Sequence, residues 1–484
     1  MPKQNILKKD ILNLSSCIHG GQILKNAKKY NLPKSKIIDF SANLNPYVDP
    51  FKFYKNNLNL QEIIQESIKN INQYPDNDYI EFRKAAAKYV GGNVTKDNII
   101  PGNGSCEVIR LVAESVIEKD DIVLIPKPTF AEYETQVKLF GANVIHISWD
   151  DVFNISYELL KKAKILFICN PNNPTGKLIS HIDIEKLLKS CTDNETLLFI
   201  DEAFIELAYN STSVADLVID NKYLFVLRSL TKSFSIPGIR IGFGIAESQV
   251  AQSLNNVRLS WNVNSIAELM GIKLLNIEGG ANSQYLIESR EYIKKECEYL
   301  RINLSKIPGF KPYESSVNYI LIDISDNPIN SQELTHRLAY HNILVRDCNS
   351  FKSLENNYIR VAVKTRKENE RLINSINQVH LEYADPIHID ASYKNTCEYY
   401  PCHFEGQDCT FCFCPFYPCE DERTGGKYIK GTKCGLVWSC MKCHLMHDTI
   451  ISHKVLDILI EDGTTKSKLK KAWDTIIEVH LSAK

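Results

Sequence analysis

The chain has 484 residues, of which 24% are charged and 44% are hydrophobic, and its formal net charge at pH 7 is −1. This length allows two or three domains with substantial cores, and the near-neutral charge argues against nucleic acid as the main partner. No apolar run reaches the roughly 18–20 residues that span a bilayer, and Met1–Leu14 lacks the apolar core of a secretory signal. We therefore expect a cytoplasmic protein with neither a membrane nor a nucleic-acid partner.

Between about residue 80 and residue 245, helix-like segments alternate with short apolar runs. Glu81–Val90 is alanine-rich and helical, whereas 121–126, 164–169, 196–200 and 223–227 are β-rich runs. Apolar strands that alternate with helices predict a mostly parallel sheet covered on both faces. In such α/β sheets, ligands collect at the carboxyl ends of the strands.

From about residue 290 the pattern becomes that of a smaller α+β domain. We predict helices over Ser289–Asn303 and Ser331–His341, and strands over 343–346 and 358–363. The run Val317–Asp323 alternates between apolar and polar residues, which predicts a half-exposed strand.

One lysine, Lys232, lies in a hydroxyl-rich loop just after the apolar run that ends at Leu227. Ser229, Thr231 and Arg240 surround it, and hydroxyl groups with a guanidinium are suited to binding a phosphate ester. The lysine between them is free to form a Schiff base with an aldehyde beside that phosphate. The segment thus predicts a site for pyridoxal 5′-phosphate (PLP), although such a segment taken alone is more often a surface turn.

Three further motifs follow predicted strands upstream of this lysine. The turn Pro101–Glu107 holds two glycines, and we expect Ser105 to cap the next helix, whose first amides can take a phosphate. Asn173 lies in the proline-fixed turn Asn170–Gly176. Asp201 follows a buried strand, where its carboxylate needs a positive partner such as a protonated pyridine nitrogen. Each motif taken singly is weak.

In this order, the motifs resemble those of the fold-type I PLP enzymes of the aspartate aminotransferase class, over roughly residues 15–380. The resemblance implies the PLP-dependent transferase fold, which has a mostly parallel α/β large domain and an α+β small domain, in a homodimer. It implies that Lys232 holds PLP covalently and moves protons, that Asp201 pairs with the pyridine nitrogen, and that Asn173 binds the ring 3′-oxygen. Many members have tyrosine where Phe204 stands, which leaves Asn173 as the main partner of that oxygen.

The resemblance also implies a wider set of cofactor contacts. These are Ser105, Ser229, Thr231 and Arg240 at the phosphate, Cys106 beside them, Phe130 stacked on the ring, and Tyr74 reaching the phosphate of the neighbouring subunit.

Several stretches are more closely similar to two families with phosphorylated substrates, the histidinol-phosphate aminotransferases and the threonine-phosphate decarboxylases of cobalamin biosynthesis. The segments 19–21, 39–46, Pro128–Glu134 and Arg228–Lys232 look more like the decarboxylases. The substrate contacts that this resemblance implies are Arg360 at the carboxylate, Arg346 at the phosphate, and His19 and Asn173 beside them.

The sequence therefore predicts PLP-dependent decarboxylation of L-threonine O-3-phosphate to (R)-1-amino-2-propanol O-2-phosphate, for the nucleotide loop of cobalamin. One alternative is a PLP aminotransferase that acts on histidinol phosphate, because the sequence does not show how the substrate carboxylate is oriented relative to the cofactor ring. Another is a metal-binding module on a catalytically silent fold. Serine phosphate differs from threonine phosphate by one methyl group, so the choice between these two substrates stays open.

Nine of the fifteen cysteines are concentrated near the C-terminus, which in a reducing compartment favours metal binding over disulfides. Two Cys-x-x-Cys pairs have the spacing of metal-binding knuckles, and either zinc or an iron–sulfur centre would fit. The candidate ligands are Cys397, Cys402, Cys409, Cys412, Cys414, Cys419, Cys434, Cys440 and Cys443.

This tail resembles a cysteine-rich small domain attached to archaeal cobalamin-pathway proteins. A structural metal is the first interpretation of it. The alternatives are a threonine kinase activity, for which no P-loop or kinase motif set is present, and a redox or docking module. The complete domain prediction is an N-terminal arm over 1–45, a PLP-binding large domain over 46–285, a small α+β domain over 286–380, a linker over 381–396, and a cysteine-rich domain with a helical tail over 397–484.

Overall fold

The structure is a computed structural model that describes residues 6, 9–12, 14, 16–55, 57–384, 407–408, 410–411, 414–430, 436–461 and 464–482. Its internal contacts divide the chain into two units, Met1–Asn377 and Gln378–Lys484. Across these described residues, no helix combines the length and the apolar character needed to cross a membrane.

The first unit contains thirteen described strands, numbered in chain order. They are β1 (Ile38–Asp39), β2 (Ile99–Gly102), β3 (Ile122–Lys127), β4 (Asn143–Ser148), β5 (Ala163–Cys169), β6 (Leu197–Asp201), β7 (Leu224–Ser229), β8 (Gly242–Ala246), β9 (Lys311–Pro312), β10 (Tyr319–Asp323), β11 (Ile343–Leu344), β12 (Arg346–Asp347) and β13 (Tyr358–Ala362).

The α-helices that begin in this unit are numbered in the same way. They are α1 (Lys9–Leu12), α2 (Ile23–Lys29), α3 (Pro50–Phe53), α4 (Leu60–Lys69), α5 (Ile80–Val90), α6 (Ser105–Val116), α7 (Glu132–Leu139), α8 (Tyr157–Leu160), α9 (His181–Asp193), α10 (Leu230–Ser233), α11 (Ser248–Val257), α12 (Ser265–Leu275), α13 (Gln284–Leu304), α14 (Ser331–Tyr340) and α15 (Arg366–Ala384).

A seven-stranded sheet, called the large sheet below, has the order β2-β8-β7-β6-β5-β3-β4. Its neighbouring strands from β7 to β4 are parallel, and β8 runs antiparallel to both of its neighbours. Alternate residues of its inner strands enter two different apolar clusters: Leu166 and Ile168 lie in one, and Ile165 and Phe167 lie in the other. Both faces are therefore covered, which explains why these strands read as uninterrupted apolar runs. The predicted fold class is confirmed.

A second sheet, called the small sheet, has the antiparallel order β12-β13-β10-β9. The prediction of a half-exposed strand over Val317–Asp323 is wrong, because β10 begins at Tyr319 and its residues from Tyr319 to Ile322 are buried. The reason is that β10 is an inner strand, paired with β13 and β9, and α13 packs against it. The N-terminal arm joins this region through β1, which pairs in parallel with β11.

The second unit contains a hairpin and several helices. Its strands β14 (Lys427–Lys430) and β15 (Leu436–Ser439) are antiparallel. Its helical segments are Thr449–Ile460, Thr465–Ala472, Trp473–Ile477 and Glu478–Leu481. Side chains from these helices share an apolar cluster with Cys414 and Cys443, so the predicted helical tail packs on the cysteine-bearing part of the unit. Of the predicted linker, residues 381–384 end α15, and residues 385–396 lie outside the described residues.

Candidate active site

A cavity of about 320 Å³ lies at the carboxyl ends of the central strands of the large sheet. Most of the site residues predicted from the sequence line it. They are His19, Ser105, Cys106, Phe130, Asn173, Asp201, Thr231, Lys232, Arg240, Arg346 and Arg360. Among the described lining residues, Ser229 and Tyr74 are missing, so the structure brings together all but two of the predicted groups of this unit.

Lys232 projects into this cavity from the one-turn helix α10, which directly follows β7. The expectation of a loop at this position is wrong, because β7 continues to Ser229 and the chain then turns at once into the helix. Burial, together with the positive charge of Arg360, lowers the pKa of Lys232 to about 8. Its Nζ lies 5.8 Å from the centre of the Phe204 ring. Lys232 therefore supplies an amine that is partly neutral near physiological pH.

Asp201 is the last residue of β6 and is buried at the cavity wall. Its Oδ2 accepts a hydrogen bond of 2.6 Å from the Tyr133 hydroxyl, and its Oδ1 accepts one of 2.9 Å from the Ala203 amide. Burial raises the pKa of Asp201, whereas the two hydrogen bonds act in the opposite direction. The carboxylate thus has a fixed orientation, and the charge of Lys232 also acts to lower its pKa.

Sequence reasoning assigned no role to Tyr133, although its hydroxyl contacts the key carboxylate. The residue lies in α7, and its ring stacks on Phe167 with centroids 4.9 Å apart and an interplanar angle of 13°. A buried aromatic residue on a helix has the same sequence pattern whether it only packs or also holds a polar group. Its position in the stretch Pro128–Glu134, which resembles the decarboxylases, was the one available signal.

The N-terminus of α6 and the guanidinium of Arg240 meet at one end of the cavity. The expectation that Ser105 caps α6 is wrong, because Gly104 has the cap position and Ser105 is the first helical residue. Gly104 has a φ of 79°, and a Cβ at this residue would lie only 2.5 Å from Arg240 Nη2. Glycine therefore permits the close approach of backbone amides and guanidinium that an anionic group requires.

The hydroxyls of the Lys232 segment lie next to this end of the cavity. Thr231 lines the cavity, and its Oγ1 is 2.8 Å from the Oγ of Ser229, which lies behind it and is buried. Thr231 can therefore contact a bound group directly, whereas Ser229 acts through the Thr231 hydroxyl in this arrangement.

Two arginines of the small sheet also line the cavity. Arg346 on β12 and Arg360 on β13 are direct partners in the antiparallel register. Arg360 donates to Asn173 Oδ1 and, over 2.8 Å, to the Ser41 carbonyl oxygen, while its buried Nε has no described partner. Arg346 Nη2 donates to the carbonyl oxygen of residue 18 over 2.7 Å and to the Ser350 hydroxyl over 2.6 Å.

Neither of these arginines forms an ion pair with a carboxylate of the described residues, and all their recorded acceptors are neutral oxygens. Burial lowers the pKa of Arg360 to about 10 and also lowers that of Arg346. Arginine stays protonated in proteins, so the cavity holds two buried positive charges that form no ion pair with a carboxylate of the described residues.

The remaining predicted residues are at the edge of the cavity or outside it. His19 Nε2 lies 2.8 Å from Glu132 Oε1, and its ring is 5.9 Å from that of Phe130. Tyr74 is 78% exposed and stacks on Trp261, with centroids 4.4 Å apart. Its contact with a neighbouring subunit stays a prediction.

A sequence model of a family described as aminotransferase class I and II matches residues 35–376. The chain belongs to this family. It is therefore a PLP-dependent enzyme of the aminotransferase type. A second family model, described as a cysteine-rich small domain, matches residues 388–471.

Individual relatives differ in the reaction that their names give. The chain is 30% identical to a histidinol-phosphate aminotransferase of Methanococcus aeolicus, over 73% of this chain and 92% of that protein. It is 34% identical to a protein of Caldanaerobacter subterraneus provisionally named threonine-phosphate decarboxylase, over 73% of this chain and 97% of that protein. Among solved structures, the histidinol-phosphate aminotransferase from Clostridium acetobutylicum is 31% identical, covers 70% of this chain and 98% of its own, and has a TM-score of 0.61.

The donor groups of the cavity fit the cofactor of this aminotransferase family. PLP carries an aldehyde, a pyridine nitrogen that can be protonated, and a phosphate. The cavity offers a matching group for each of them: an amine, a carboxylate, and a positively charged site formed by backbone amides and a guanidinium. Lys232 and Asp201 could hold the first two groups. The α6 amides with Thr231 and Arg240 could hold the phosphate, since the glycine at position 104 leaves room for it.

In the second unit, four of the nine predicted metal ligands are described: Cys414, Cys419, Cys440 and Cys443. Burial is the main reason that the pKa of Cys414 is raised to about 11, and the other three described thiols act in the same direction. The Cys443 amide donates to the Cys440 carbonyl oxygen over 2.8 Å, which closes the tight turn of this Cys-x-x-Cys pair. Of these four described sulfur atoms, no three lie within 4.8 Å of one another. Cys397, Cys402, Cys409, Cys412 and Cys434 lie outside the described residues.

Proposed function

We propose that this PLP-dependent enzyme decarboxylates L-threonine O-3-phosphate to (R)-1-amino-2-propanol O-2-phosphate. The proposal rests on a pair of buried guanidinium groups, Arg346 and Arg360, which line the same cavity as Lys232 and form no ion pair with a carboxylate of the described residues. A phospho-amino acid carries a carboxylate and a phosphate, so it could neutralise both charges at once. Histidinol phosphate carries only the phosphate.

Asn173 connects the two sides of the proposed reaction. Its amide oxygen accepts from Arg360, so its amide NH₂ is left to donate to the 3′-oxygen of the cofactor. Arg360 is thereby held beside the ring, where it would bind and orient the substrate carboxylate. Arg346, fixed by Ser350 and the backbone of residue 18, would bind the phosphate, with His19 beside it.

Bound PLP supplies an electron sink for the electron pair that remains when CO₂ leaves. Asp201, oriented by Tyr133, would keep the pyridine nitrogen protonated. With its lowered pKa, Lys232 would hold the cofactor covalently and then deliver a proton to the α-carbon. Ser105, Cys106, Thr231 and Arg240 would contact the cofactor phosphate, Ser229 would support Thr231, and Phe130 would stack on the ring.

The wider context belongs to the same proposal. The product would be a building block for the nucleotide loop of cobalamin, and the enzyme would act in the cytoplasm as a homodimer. In that homodimer, Tyr74 would reach the cofactor phosphate of the neighbouring subunit, which agrees with its exposure in the single chain.

The second candidate is an aminotransferase for histidinol phosphate, because that name is the commoner one among the relatives. One assay separates the two. PLP-loaded protein is incubated with phosphothreonine, with and without 2-oxoglutarate, and both CO₂ and keto-acid products are measured. We expect CO₂ release that needs no keto acid; turnover only in the presence of 2-oxoglutarate would overturn the decarboxylase proposal.

The same assay with phosphoserine tests the substrate side chain. The two substrates differ by one methyl group, for which a pocket can discriminate by about 1–3 kcal/mol, or roughly 10- to 200-fold. A preference within that range for phosphothreonine supports the assignment, and a preference for phosphoserine would replace it.

We also propose that the cysteine-rich unit binds a metal, either zinc or an iron–sulfur centre. Metal analysis with ultraviolet and visible absorption of the purified full-length protein distinguishes the two. Cys440→Ser and Cys443→Ser should lower the metal content, whereas Cys191→Ser, a buried thiol of the first unit, should leave it unchanged.

An accessory threonine kinase activity would supply the phosphorylated substrate from threonine. No motif within the described residues supports this kinase hypothesis. Incubation of the full-length protein with threonine and ATP tests it directly, and the absence of phosphothreonine would remove it.

A further inference from the structure

Three metal-ligating side chains of different types converge at the edge of the cavity. The ligand atoms of Cys17, His19 and Glu132 all lie within 4.8 Å of one another. A tetrahedral ion with bonds of about 2.0–2.3 Å to sulfur, nitrogen and oxygen would place such atoms about 3.3–3.7 Å apart. Shifts of about an ångström would therefore close the group around one ion. Among the described residues, it is the one group of three that meets this distance limit.

The chemistry of the three groups restricts the ion. A thiolate and an imidazole suit Zn²⁺ and related transition metals, whereas Mg²⁺ and Ca²⁺ prefer an all-oxygen set. Glu132 is largely buried, and Gln136 Nε2 donates to its Oε2 over 2.9 Å, which orients the other carboxylate oxygen towards His19. The His19 side chain is 44% exposed, so an ion can reach the group from solvent.

The two ligands on the arm belong to a short segment whose residues 18–20 line the cavity. This segment, residues 16–21, is called the strap below. One end of it contacts α7, where Cys17 Sγ lies 2.9 Å from Thr135 Oγ1. Its middle contacts the small sheet, since the carbonyl oxygen of residue 18 accepts from Arg346. At its other end, the amide of Gly21 donates to Ser41 Oγ over 2.9 Å.

A cavity lies on each side of the strap. The inner one is the cavity that holds Lys232, and the outer one has a volume of about 400 Å³. Both are lined by the residues at positions 18–20 of the strap and by Arg346. Movement of the strap would therefore join the inner cavity to the outer one, and a fixed strap would separate them.

We propose that Cys17, His19 and Glu132 bind one divalent ion of the Zn²⁺ class, and that the bound ion pins the strap at the edge of the cavity. Binding releases the thiol proton to solvent and replaces the contact between His19 Nε2 and Glu132 Oε1 by bonds of both groups to the ion, with His19 neutral and its proton on Nδ1. The fourth position of the ion is left for water. Because the strap is fixed, the ion is expected to slow exchange of small molecules with the inner cavity.

Titration of the PLP-loaded, full-length protein with Co²⁺ tests the site, because a thiolate–Co²⁺ bond gives near-ultraviolet charge-transfer absorption. The cysteine-rich unit is present in every variant, so its contribution cancels when variants are compared. Cys17→Ser should bind one Co²⁺ fewer per chain and lose part of this absorption. Glu132→Gln should weaken the same site by more than the roughly 10- to 100-fold that loss of an outer-shell partner costs.

Thr135→Val is the matched control, since it removes the hydroxyl beside Cys17 and keeps all three ligand groups. It should bind Co²⁺ as the unaltered protein does. Equal stoichiometry and identical absorption of the unaltered protein and Cys17→Ser would overturn the proposal.

Limited proteolysis tests the pinning separately. Trypsin should cleave at Lys25, Lys28 and Lys29 of α2 more slowly when Zn²⁺ is present, and Cys17→Ser should abolish this protection. If Zn²⁺ binds but the cleavage rates do not change, the ion does not fix the strap. Neither measurement depends on which reaction the enzyme catalyses.

Discussion

The two walls of the cavity are assembled in opposite ways. The cofactor wall, which contains Asn173, Asp201 and Lys232, comes from one sheet and follows the carboxyl ends of neighbouring strands. The substrate wall contains Arg346 and Arg360, and these arginines contact backbone atoms of the N-terminal arm that are 328 and 319 residues away in the sequence. The cofactor wall is therefore formed by neighbouring strands of one sheet, whereas the substrate wall forms only when segments far apart in the sequence come together.

The walls also differ in charge. The cofactor wall has both signs, because the Asp201 carboxylate lies near the Lys232 ammonium group. The described part of the substrate wall presents two arginines whose acceptors are neutral oxygens. The cofactor side is thus nearly balanced by the protein itself, whereas the substrate side leaves its positive charge to be neutralised by an anionic ligand. Each substitution below removes or alters a charged or polar group that contributes to one of the two walls.

Lys232→Ala should have the largest effect. It removes the amine that holds the cofactor and moves the proton, so we expect kcat/KM to fall by at least about 10²- to 10⁴-fold. The visible absorption band of lysine-bound PLP should also be lost. Lys186→Ala, an exposed lysine of α9 paired with Asp183, is the control and should change neither quantity. A persistent lysine-linked band in Lys232→Ala would show that another residue is the anchor.

Arg360→Lys and Arg346→Lys should have the next largest effect. Each keeps the charge but loses the planar pair of donors, and a hydrogen bond to a charged group contributes about 1.5–3 kcal/mol, which corresponds to roughly 10- to 100-fold in kcat/KM. Cofactor binding should change little in Arg346→Lys, since this residue belongs to the substrate wall. Arg366→Lys is the control because Arg366 pairs with Glu296 and is not among the residues that line the cavity. Steady-state kinetics with phosphothreonine, set beside PLP affinity, make the comparison.

The rate of PLP uptake by the cofactor-free protein should depend on the pKa of Lys232. The neutral amine attacks the aldehyde, and its fraction rises with pH up to the pKa of about 8. Below that pH, the rate should fall about tenfold per pH unit. Because the charge of Arg360 helps to lower this pKa, Arg360→Gln should move the midpoint to higher pH. An unchanged midpoint in that variant would mean that the two walls are not electrostatically coupled.

Tyr133→Phe should have the smallest effect of the four. It removes the 2.6 Å hydrogen bond to Asp201 and leaves the aromatic stacking in place. A loss of about 1 kcal/mol corresponds to a roughly fivefold lower kcat. Tyr285→Phe is the matched control, since Tyr285 is equally buried but its hydroxyl contacts Asn45 in the core. Similar losses of kcat in both variants would mean that the Tyr133 hydroxyl has no special role at the carboxylate.

The fold class, the family and most of the cofactor wall could be predicted from the sequence. Apolar strands that are buried on both faces have an unmistakable pattern, and the polar residues after each strand fall together because parallel strands end at one edge of the sheet. The residues from Ser105 to Arg240 could therefore be named from their order along the chain. The main local errors, at Ser105, in the loop around Lys232 and over Val317–Asp323, concern cap positions and element boundaries, where one glycine or one added neighbour strand changes the outcome.

The contacts between groups far apart in the sequence became known only from the tertiary structure. It paired Tyr133 with Asp201, His19 with Glu132, and Arg360 with Asn173, over separations of 68, 113 and 187 residues. No local pattern encodes such contacts, because a tyrosine, a glutamate or an arginine has the same propensity whichever partner it meets. They arise only when the arm, α7 and the small sheet pack around the edge of the large sheet, and that packing produces the balance of charge on one wall of the cavity and the unneutralised charge on the other.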